Sequence, residues 1–334
     1  MGIVTRCIVQ NKIPVLGPVL LRGYFNRLGR LRVGEFEDAV KRFTIRLRDY
    51  DNHSVYNGLL SFFVSKYVAK YESAVFMGKG VGDGSLNTYR KLRLKSGEDV
   101  FEKVYFTESE AFTRTHQFYD LVFSSLSQYL VLPKLTASYE GAKMSVCHFE
   151  FKNLEIIDSS VLIAELIAVV KSLIECSAHI ERANDLSFRS ELKSVYKYRV
   201  QLGRAKELFR RHGISHDDLL EKVMGSQKVI THCDLGHKNV FRNRTVVDWD
   251  YFGFYPIGLD YAIIFYYYLL EKNEIDPIVW LRSSAKDLRC GVDWDGLERN
   301  FLYYLIVISI NLLDNMAGKS IQENLLSKVK KYCY

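Results

Sequence analysis

The chain has 334 residues, of which 48% are apolar and 25% charged, so it is long enough for one or two folded domains and disorder is not expected. Its six cysteines lack the paired spacing of metal or redox motifs and are typical of free thiols in a reducing compartment. No signal-peptide pattern is visible, and the longest apolar run, residues 301–313, is too short and too tyrosine-rich to span a bilayer, so we expect a cytoplasmic protein.

Residues 1–72 form a basic N-terminal extension ahead of the first predicted strand. Residues 1–50 carry ten Lys or Arg against four Asp or Glu, which accounts for most of the net charge of +7. One interpretation is a solvated basic surface; the other is contact with an anionic partner or a membrane surface. No nucleic-acid-binding motif is present, so we expect no specific binding of nucleic acid.

Six strand-like segments follow, and we predict that they supply a five-stranded sheet. They lie at residues 73–77, 88–94, 100–106, 130–135, 137–140 and 143–149. Between the first two strands is a glycine-rich run that includes Gly80, Gly82 and Gly84. Such a run lets backbone amides approach a phosphate closely, although a flexible surface turn is the alternative. Lys103 lies at the centre of the third strand.

A helix is predicted after the third strand. Thr107 and Glu110 have the spacing of a capping box, and apolar residues then recur at helical spacing. Glu108 and Glu110 are both suited to the positive end of the helix dipole. Residues 152–334 are mainly helical in pattern, with candidate helices at 160–177, 191–211, 217–224, 263–270 and 300–314. Their many Tyr and Phe residues are expected to pack in a core.

The strongest chemical pattern begins at Asp234, which follows a short apolar strand and sits in a polar loop. Two apolar pairs, 240–241 and 246–247, then flank a polar run and predict a small hairpin. Asn239 and Asp248 border the open end of that hairpin. A carboxamide oxygen and a carboxylate are ligands that Mg²⁺ accepts, together with phosphate oxygens. Asp234 is then left to accept a proton.

The segment His232–Phe241, with Val246–Asp250 after it, resembles the catalytic loop and metal-binding Asp of the aminoglycoside phosphotransferase and choline kinase group, a protein-kinase-like family. These enzymes carry a His-x-Asp-x-x-x-x-Asn loop and then an Asp followed by Trp. The resemblance implies that Asp234 is the catalytic base and that Asn239 and Asp248 are metal ligands.

The resemblance also assigns roles to other parts of the chain. His232 would support the loop, and the Asp within Gly258–Ala262 would brace it. Lys103 and the glycine-rich run would hold the nucleotide phosphates. Glu150 and Phe151 would lie at the inter-lobe hinge and contact the adenine through their backbone, although a simple strand end is the alternative.

The expected acidic partner of Lys103 is less clear from the sequence. Glu110 or Glu108 could pair with it from the first turn of the following helix. Members of the family carry this acid nearer to Thr115, where the present chain has none.

The fold implied by the resemblance is α+β and two-lobed, with a small antiparallel-sheet N-lobe at 73–151 and a mainly helical C-lobe at 152–334. The implied activity is transfer of the γ-phosphate of ATP, with Mg²⁺, to a hydroxyl of a small molecule such as a sugar, an aminoglycoside or an amino alcohol. Asp-Trp in place of Asp-Phe-Gly and the lack of an Ala-Pro-Glu run favour a small acceptor over a protein. Asp250, Tyr251 and Tyr255 are candidates for lining the acceptor pocket.

Three alternatives stay open. The acceptor could be a protein or a surface glycan. The chain could instead be a nucleotide-binding pseudokinase that acts as an interaction module, which the missing acid near Thr115 favours and the complete set of loop residues opposes. A zinc site built from His232, Cys233 and His237 is the third, but adjacent His and Cys ligands do not match the spaced pairs of structural zinc sites.

Overall fold

The computed structural model describes residues 60, 64–66, 68–79, 87–106, 110–141, 144–180, 196–270, 275–288, 291–313 and 319–332. They divide into two compact units. The sheet unit contains the described residues up to Phe112 together with Pro133–Asn153, and the helical unit contains Thr113–Leu132 and the described residues from Leu154 onward. The basic segment 1–50 lies outside the described residues. So do Gly80, Gly82 and Gly84, the glycines predicted to bind phosphate.

The sheet unit is built on five antiparallel strands in the order β1-β2-β3-β5-β4, as predicted. The strands are β1 Tyr71–Lys79, β2 Thr88–Leu94, β3 Asp99–Phe106, β4 Leu135–Tyr139 and β5 Met144–Glu150. The strand predicted at 130–135 is wrong, because β4 begins only at Leu135 and Val131 makes no more than an isolated bridge to Thr245. Pro133 lies between them and has no amide hydrogen to offer a sheet ladder.

The two faces of this sheet carry different side chains. Alternation along β3 puts Glu102 on one face and Lys103 on the other. Glu102 is opposite Arg90 of β2 and His148 of β5, so these three side chains form one row across the three central strands. All three are almost completely buried, with exposed fractions of 0%, 0% and 1%.

The buried row is held together by its own polar contacts. Two guanidinium nitrogens of Arg90 lie 2.6 Å from Oε1 of Glu102. His148 donates from Nε2 to the other carboxylate oxygen of Glu102, at 3.0 Å. Since buried charges are tolerated only when they are paired and hydrogen-bonded, this carboxylate is the centre of the network.

The helical unit contains most of the remaining elements. Its first helix, α1 Glu110–Leu121, begins at the end of the sheet unit, and the later elements are α2 Phe123–Leu126, α3 Leu162–Ser177, α4 Tyr196–Arg211, α5 His216–Met224, β6 Lys228–Thr231, β7 Val240–Phe241, β8 Thr245–Val246, β9 Gly253–Pro256, α6 Leu259–Tyr268, α7 Pro277–Ala285, α8 Trp294–Leu313 and α9 Lys319–Lys330. The helices predicted between residues 110 and 314 occur, with shifted ends. Within the described ranges, no helix is both long and apolar enough to cross a membrane.

Two helices, α7 and α9, were not predicted. For α7 the sequence does hold a signal, because Asp276 precedes Pro277 at the first helical position. The Asp276 carboxylate accepts hydrogen bonds from the backbone nitrogens of Ile278 and Val279, at 2.9 and 3.1 Å. An N-cap carboxylate followed by proline is a typical helix start.

Aromatic residues in the core of the helical unit pack against α6, the helix that carries Asp260. Trp280 of α7 packs with Phe265 of α6 and Phe301 of α8, at ring separations of 5.2 and 6.0 Å. Phe265 and Phe301 also meet each other edge to face, at 5.8 Å. Aromatic pairs in this geometry add to the stability that burial already supplies, so α6 is firmly held against its neighbours.

Candidate active site

The loop that carries Asp234, residues 232–239, follows β6 directly. At its start, the carboxylate of Asp260 accepts two backbone hydrogen bonds, from the nitrogens of His232 and Cys233, each at 2.9 Å. Asp260 is 4% exposed and lies in the first turn of α6, where the helix dipole favours negative charge. Cys233 has a φ of 65°, and these bonds stabilise that left-handed backbone. The bracing role predicted for the Gly258–Ala262 segment is confirmed.

Gly258 allows α6 to begin where it does. Its φ is 115°, a conformation that side chains disfavour. A Cβ atom at this position would lie 2.9 Å from the backbone nitrogen of Phe301 in α8. Glycine is therefore required for α6 to start this close to α8 and to bring Asp260 under the 232–239 loop.

Replacing Asp260 with asparagine is expected to lower the free energy of unfolding by about 1–3 kcal/mol. A carboxamide can accept one of the two backbone hydrogen bonds but presents a donor to the other, which leaves a buried N–H unsatisfied. Urea unfolding of the variant measures the loss. The same substitution at Asp120, which is exposed on α1, is the matched control and should change stability very little. Equal effects from the two variants would contradict the brace.

His232 ties the loop to the segment that precedes Asp248. Its Nε2 donates a hydrogen bond to the carbonyl oxygen of Val247, at 2.9 Å, and the side chain is fully buried. Its ring lies 4.6 Å from the ring of Trp249. Through these contacts His232 supports the loop, as predicted. Within the described residues, no group of three or more His, Cys, Asp or Glu side chains is arranged to hold a metal ion.

Asp234 and Asn239 are brought together by the loop. The Asn239 side-chain nitrogen donates to the backbone oxygen of Asp234, at 2.8 Å, and to its carboxylate Oδ2, at 3.2 Å. Asn239 is 8% exposed, whereas Asp234 is partly exposed. The amide nitrogen of Asn239 is thus bound to Asp234.

The predicted hairpin is present and returns the chain to Asn239. β7 and β8 pair through Val240 with Val246, and the backbone nitrogen of Val247 donates to the carbonyl oxygen of Asn239, at 3.0 Å. Asp248 is the next residue, so it follows directly at the open end of the hairpin. Its φ is 66°, a left-handed backbone that is uncommon for residues other than glycine but less so for Asp and Asn.

The residues after Asp248 are anchored to α1. Phe118 stacks on Trp249 with ring centroids 4.0 Å apart and planes 8° from parallel. Thr115 is 2% exposed and donates from Oγ1 to the Asp250 carboxylate, at 3.2 Å. Thr115, near which the group that the sequence resembles carries an acid, is thus a buried hydroxyl that binds the segment following Asp248.

Asp250 and Tyr255, two of the residues predicted to line the acceptor pocket, are both buried, and their role there stays a prediction. Tyr255 is 1% exposed, and its hydroxyl accepts a hydrogen bond from Arg114, at 3.2 Å. Asp250 is 8% exposed and bound by Thr115. Both side chains belong to the interior of the helical unit, and Tyr251 is only partly buried.

Lys103 lies in the interior of the sheet unit and is 4% exposed. Its ammonium group is 5.5 Å from the ring centre of Tyr89 and 5.1 Å from that of Tyr105. Both distances allow a cation–π interaction, which compensates part of the cost of burying the charge. Glu110 is the exposed first residue of α1, and its pairing with Lys103 stays a prediction.

Glu150 and Phe151 lie where β5 ends and an irregular segment, residues 151–158, begins. Burial alone would raise the pKa of Glu150, but Lys152, whose Nζ is 2.6 Å away, helps to hold that pKa below its ordinary value. The Lys91 ammonium group is 4.1 Å from the centre of the Phe151 ring. Their assignment to an adenine-binding hinge stays a prediction.

No family model matches this chain, and no curated protein matches it in sequence. Solved structures do match. An amicoumacin kinase in complex with AMP-PNP and Ca²⁺ has a TM-score of 0.54 at 14% identity, over 84% of this chain and 94% of that one. A spectinomycin phosphotransferase in complex with ADP and spectinomycin has 0.47 at 15% identity, over 82% and 93%. A macrolide 2′-phosphotransferase from Brachybacterium faecium has 0.46 at 14% identity, over 80% and 97%.

The likeness to the amicoumacin kinase confirms the predicted fold. The chain has the α+β, protein-kinase-like fold of small-molecule phosphotransferases, with an antiparallel-sheet unit and a mainly helical unit. At this identity the likeness defines the fold and nothing finer, so the activity has to be argued from the residues.

Proposed function

We propose that this protein is an ATP- and Mg²⁺-dependent phosphotransferase that moves the γ-phosphate to a hydroxyl of a small molecule. One observation carries the proposal. Asp234 is hydrogen-bonded to Asn239 in a loop that Asp260 braces, and the hairpin after it binds Val247, the residue before Asp248, to the backbone of Asn239. A base, a carboxamide and a second carboxylate in this order are the set that phosphoryl transfer requires.

Asp234 would orient the acceptor hydroxyl and take its proton. Its carboxylate is partly exposed, whereas Asn239 beside it is buried. The hydrogen bond from Asn239 to Oδ2 fixes the orientation of the carboxylate before an acceptor binds. Orientation matters because phosphoryl transfer depends mostly on positioning and on neutralising charge, with little covalent help from the protein.

Asn239 and Asp248 would hold the magnesium ion. Both offer hard oxygen atoms, and Mg²⁺ commonly takes one or two protein ligands and completes its shell with phosphate oxygens and water. The Asn239 amide nitrogen is bound to Asp234, so the metal ligand would be the carboxamide oxygen of Asn239. When bound, the ion would neutralise charge on the phosphates.

Lys103 and the Gly78–Gly84 run would hold the triphosphate. Lys103 is a buried cation beside two tyrosine rings, and an ammonium group is a charge that binds phosphate. The acceptor class we propose is a sugar, an aminoglycoside, an amino alcohol or a related hydroxyl compound, which is supported by the small-molecule phosphotransferase fold.

Magnesium-dependent stabilisation by ATP tests the nucleotide half of this proposal. We expect Mg²⁺ with ATP to raise the melting temperature of the wild-type protein, because a ligand that binds only the folded state stabilises it. Asp248→Asn, which tolerates the left-handed backbone, should lose most of this increase because it lacks the metal-binding charge. Asp120→Asn on the exposed face of α1 should retain it.

A screen of hydroxyl-bearing small molecules for acceptor-stimulated release of ADP tests the transfer half. If ATP stabilises neither the wild type nor the variant, the phosphotransferase proposal is wrong. If ATP stabilises the protein and no acceptor, including protein substrates and glycans, stimulates turnover, the chain is a nucleotide-binding module instead.

A further inference from the structure

Tyr268, the last residue of α6, contacts the far end of the 232–239 loop. Its hydroxyl accepts a hydrogen bond from the backbone nitrogen of His237, at 3.0 Å, and lies 3.4 Å from Nδ1 of the same histidine. Burial raises the pKa of the Tyr268 phenol, and the nearby Asp234 carboxylate is among the charges that add to the increase. The hydroxyl is therefore protonated at neutral pH and lies close to the proposed base.

The loop leaves room for this hydroxyl at Gly236. A Cβ atom at that position would lie 3.2 Å from the Tyr268 oxygen, which is closer than most such contacts. The carbonyl oxygen of Gly236 also accepts hydrogen bonds from the backbone nitrogens of Asn239 and Val240, both at 3.0 Å. Tyr268 thus binds at the turn from which Asn239 is directed back towards Asp234.

α6 consequently holds the loop at two places. Asp260 in its first turn binds the nitrogens of His232 and Cys233, and Tyr268 at its end binds the nitrogen of His237. Eight residues separate Asp260 from Tyr268, which corresponds to about 12 Å along a helix. Phe265 packs this helix against α7 and α8. The helix therefore presents Asp260 and Tyr268 to the loop at a fixed distance from each other.

We propose that Tyr268 is a positioning residue of the 232–239 loop. Asp260 holds the end before Asp234 and Tyr268 holds the end before Asn239, so that the hydrogen bond between the base and the carboxamide forms in one geometry. The catalytic part of this inference rests on the proposed phosphotransferase function, whereas the structural part does not.

Tyr268→Phe removes only the hydroxyl and keeps the ring, so the variant is expected to fold. Hydrogen exchange in a peptide that covers the loop, measured without nucleotide, should become faster by about fivefold, since one hydrogen bond contributes roughly 1 kcal/mol to local opening. Tyr267→Phe is the matched control, because Tyr267 is 56% exposed on the same helix. Exchange in the control should equal that of the wild type. Unchanged exchange in Tyr268→Phe would overturn the inference.

Kinetics separate positioning from a purely structural role. Loss of positioning should lower kcat by about three- to tenfold with a smaller change in the KM for ATP, because, among the described residues, the Tyr268 hydroxyl touches none of the proposed nucleotide or metal ligands directly. Gly236→Ala, which crowds the same oxygen, should reproduce both effects. Faster exchange with an unchanged kcat would overturn the catalytic part. If the wild-type protein transfers no phosphate to any acceptor, the proposed function fails, and the exchange comparison still decides whether Tyr268 holds the loop.

Discussion

Replacing Asp234 with asparagine is expected to lower the rate of phosphate transfer by about 100- to 10,000-fold while ATP binding is kept. Asparagine has nearly the same shape and can still accept a hydrogen bond from Asn239, so the loop should remain in place. It cannot take a proton from an acceptor hydroxyl, and it has no charge to orient that hydroxyl. Initial rates with a stimulating acceptor measure the transfer, and the melting temperature with Mg²⁺ and ATP reports on binding.

Asp120→Asn is the matched control for this substitution. Asp120 is an exposed carboxylate on α1, and its replacement should alter neither rate nor binding. An Asp234→Asn variant that transfers phosphate at the wild-type rate would exclude Asp234 as the base. A variant that also loses ATP binding would show that the carboxylate holds the site together, and the assignment of a proton-accepting role would then lack support.

Replacing Glu102 with alanine is expected to lower the free energy of unfolding by about 3–5 kcal/mol. Glu102 is fully buried, and its two carboxylate oxygens bind Arg90 at 2.6 Å and His148 at 3.0 Å. Removing one member of a buried charge pair is costly because the desolvated partner loses the interaction that compensated its burial. Urea unfolding followed by circular dichroism would measure the loss.

The control for Glu102 is Glu98→Ala, in the exposed turn between β2 and β3, where a change within about 0.5 kcal/mol is expected. The double variant Arg90→Met with Glu102→Leu should recover much of the stability, because apolar residues of similar volume often replace a buried ion pair without loss. A loss from Glu102→Ala no larger than that from Glu98→Ala would contradict the buried network.

Patterns within short segments were sufficient for much of the fold. Alternation along residues 88–94 and 100–106 predicted β2 and β3, and the spacing around Asp234 predicted the hairpin that carries Asn239 and Asp248. These features depend on neighbours a few residues apart, so their physical causes are visible in the sequence. Gly80, Gly82 and Gly84 lie outside the described residues, so their binding of phosphate stays a prediction.

Contacts between distant segments could not be inferred in the same way. Arg90 and Glu102 are typical of a solvated strand face, yet both are buried because the strand register places them opposite each other. Thr115 and Asp250 are 135 residues apart, and only tertiary packing brings the hydroxyl to the carboxylate. Tyr255 is a candidate pocket residue in the sequence, and only the structure shows that it is 1% exposed and accepts a hydrogen bond from Arg114.

The sequence by itself determined the chemical groups of the proposed site and the order of the elements that carry them. Asp234, Asn239 and Asp248 lie close together along the chain, so a loop and a hairpin are enough to bring them together. Only the tertiary structure decided how the 232–239 loop is held. Asp260 and Tyr268 reach its two ends from one helix, and that helix is positioned by Gly258 and by its packing in the core. Such contacts form only when distant parts of the chain pack together, and no local pattern in the sequence shows which parts will meet.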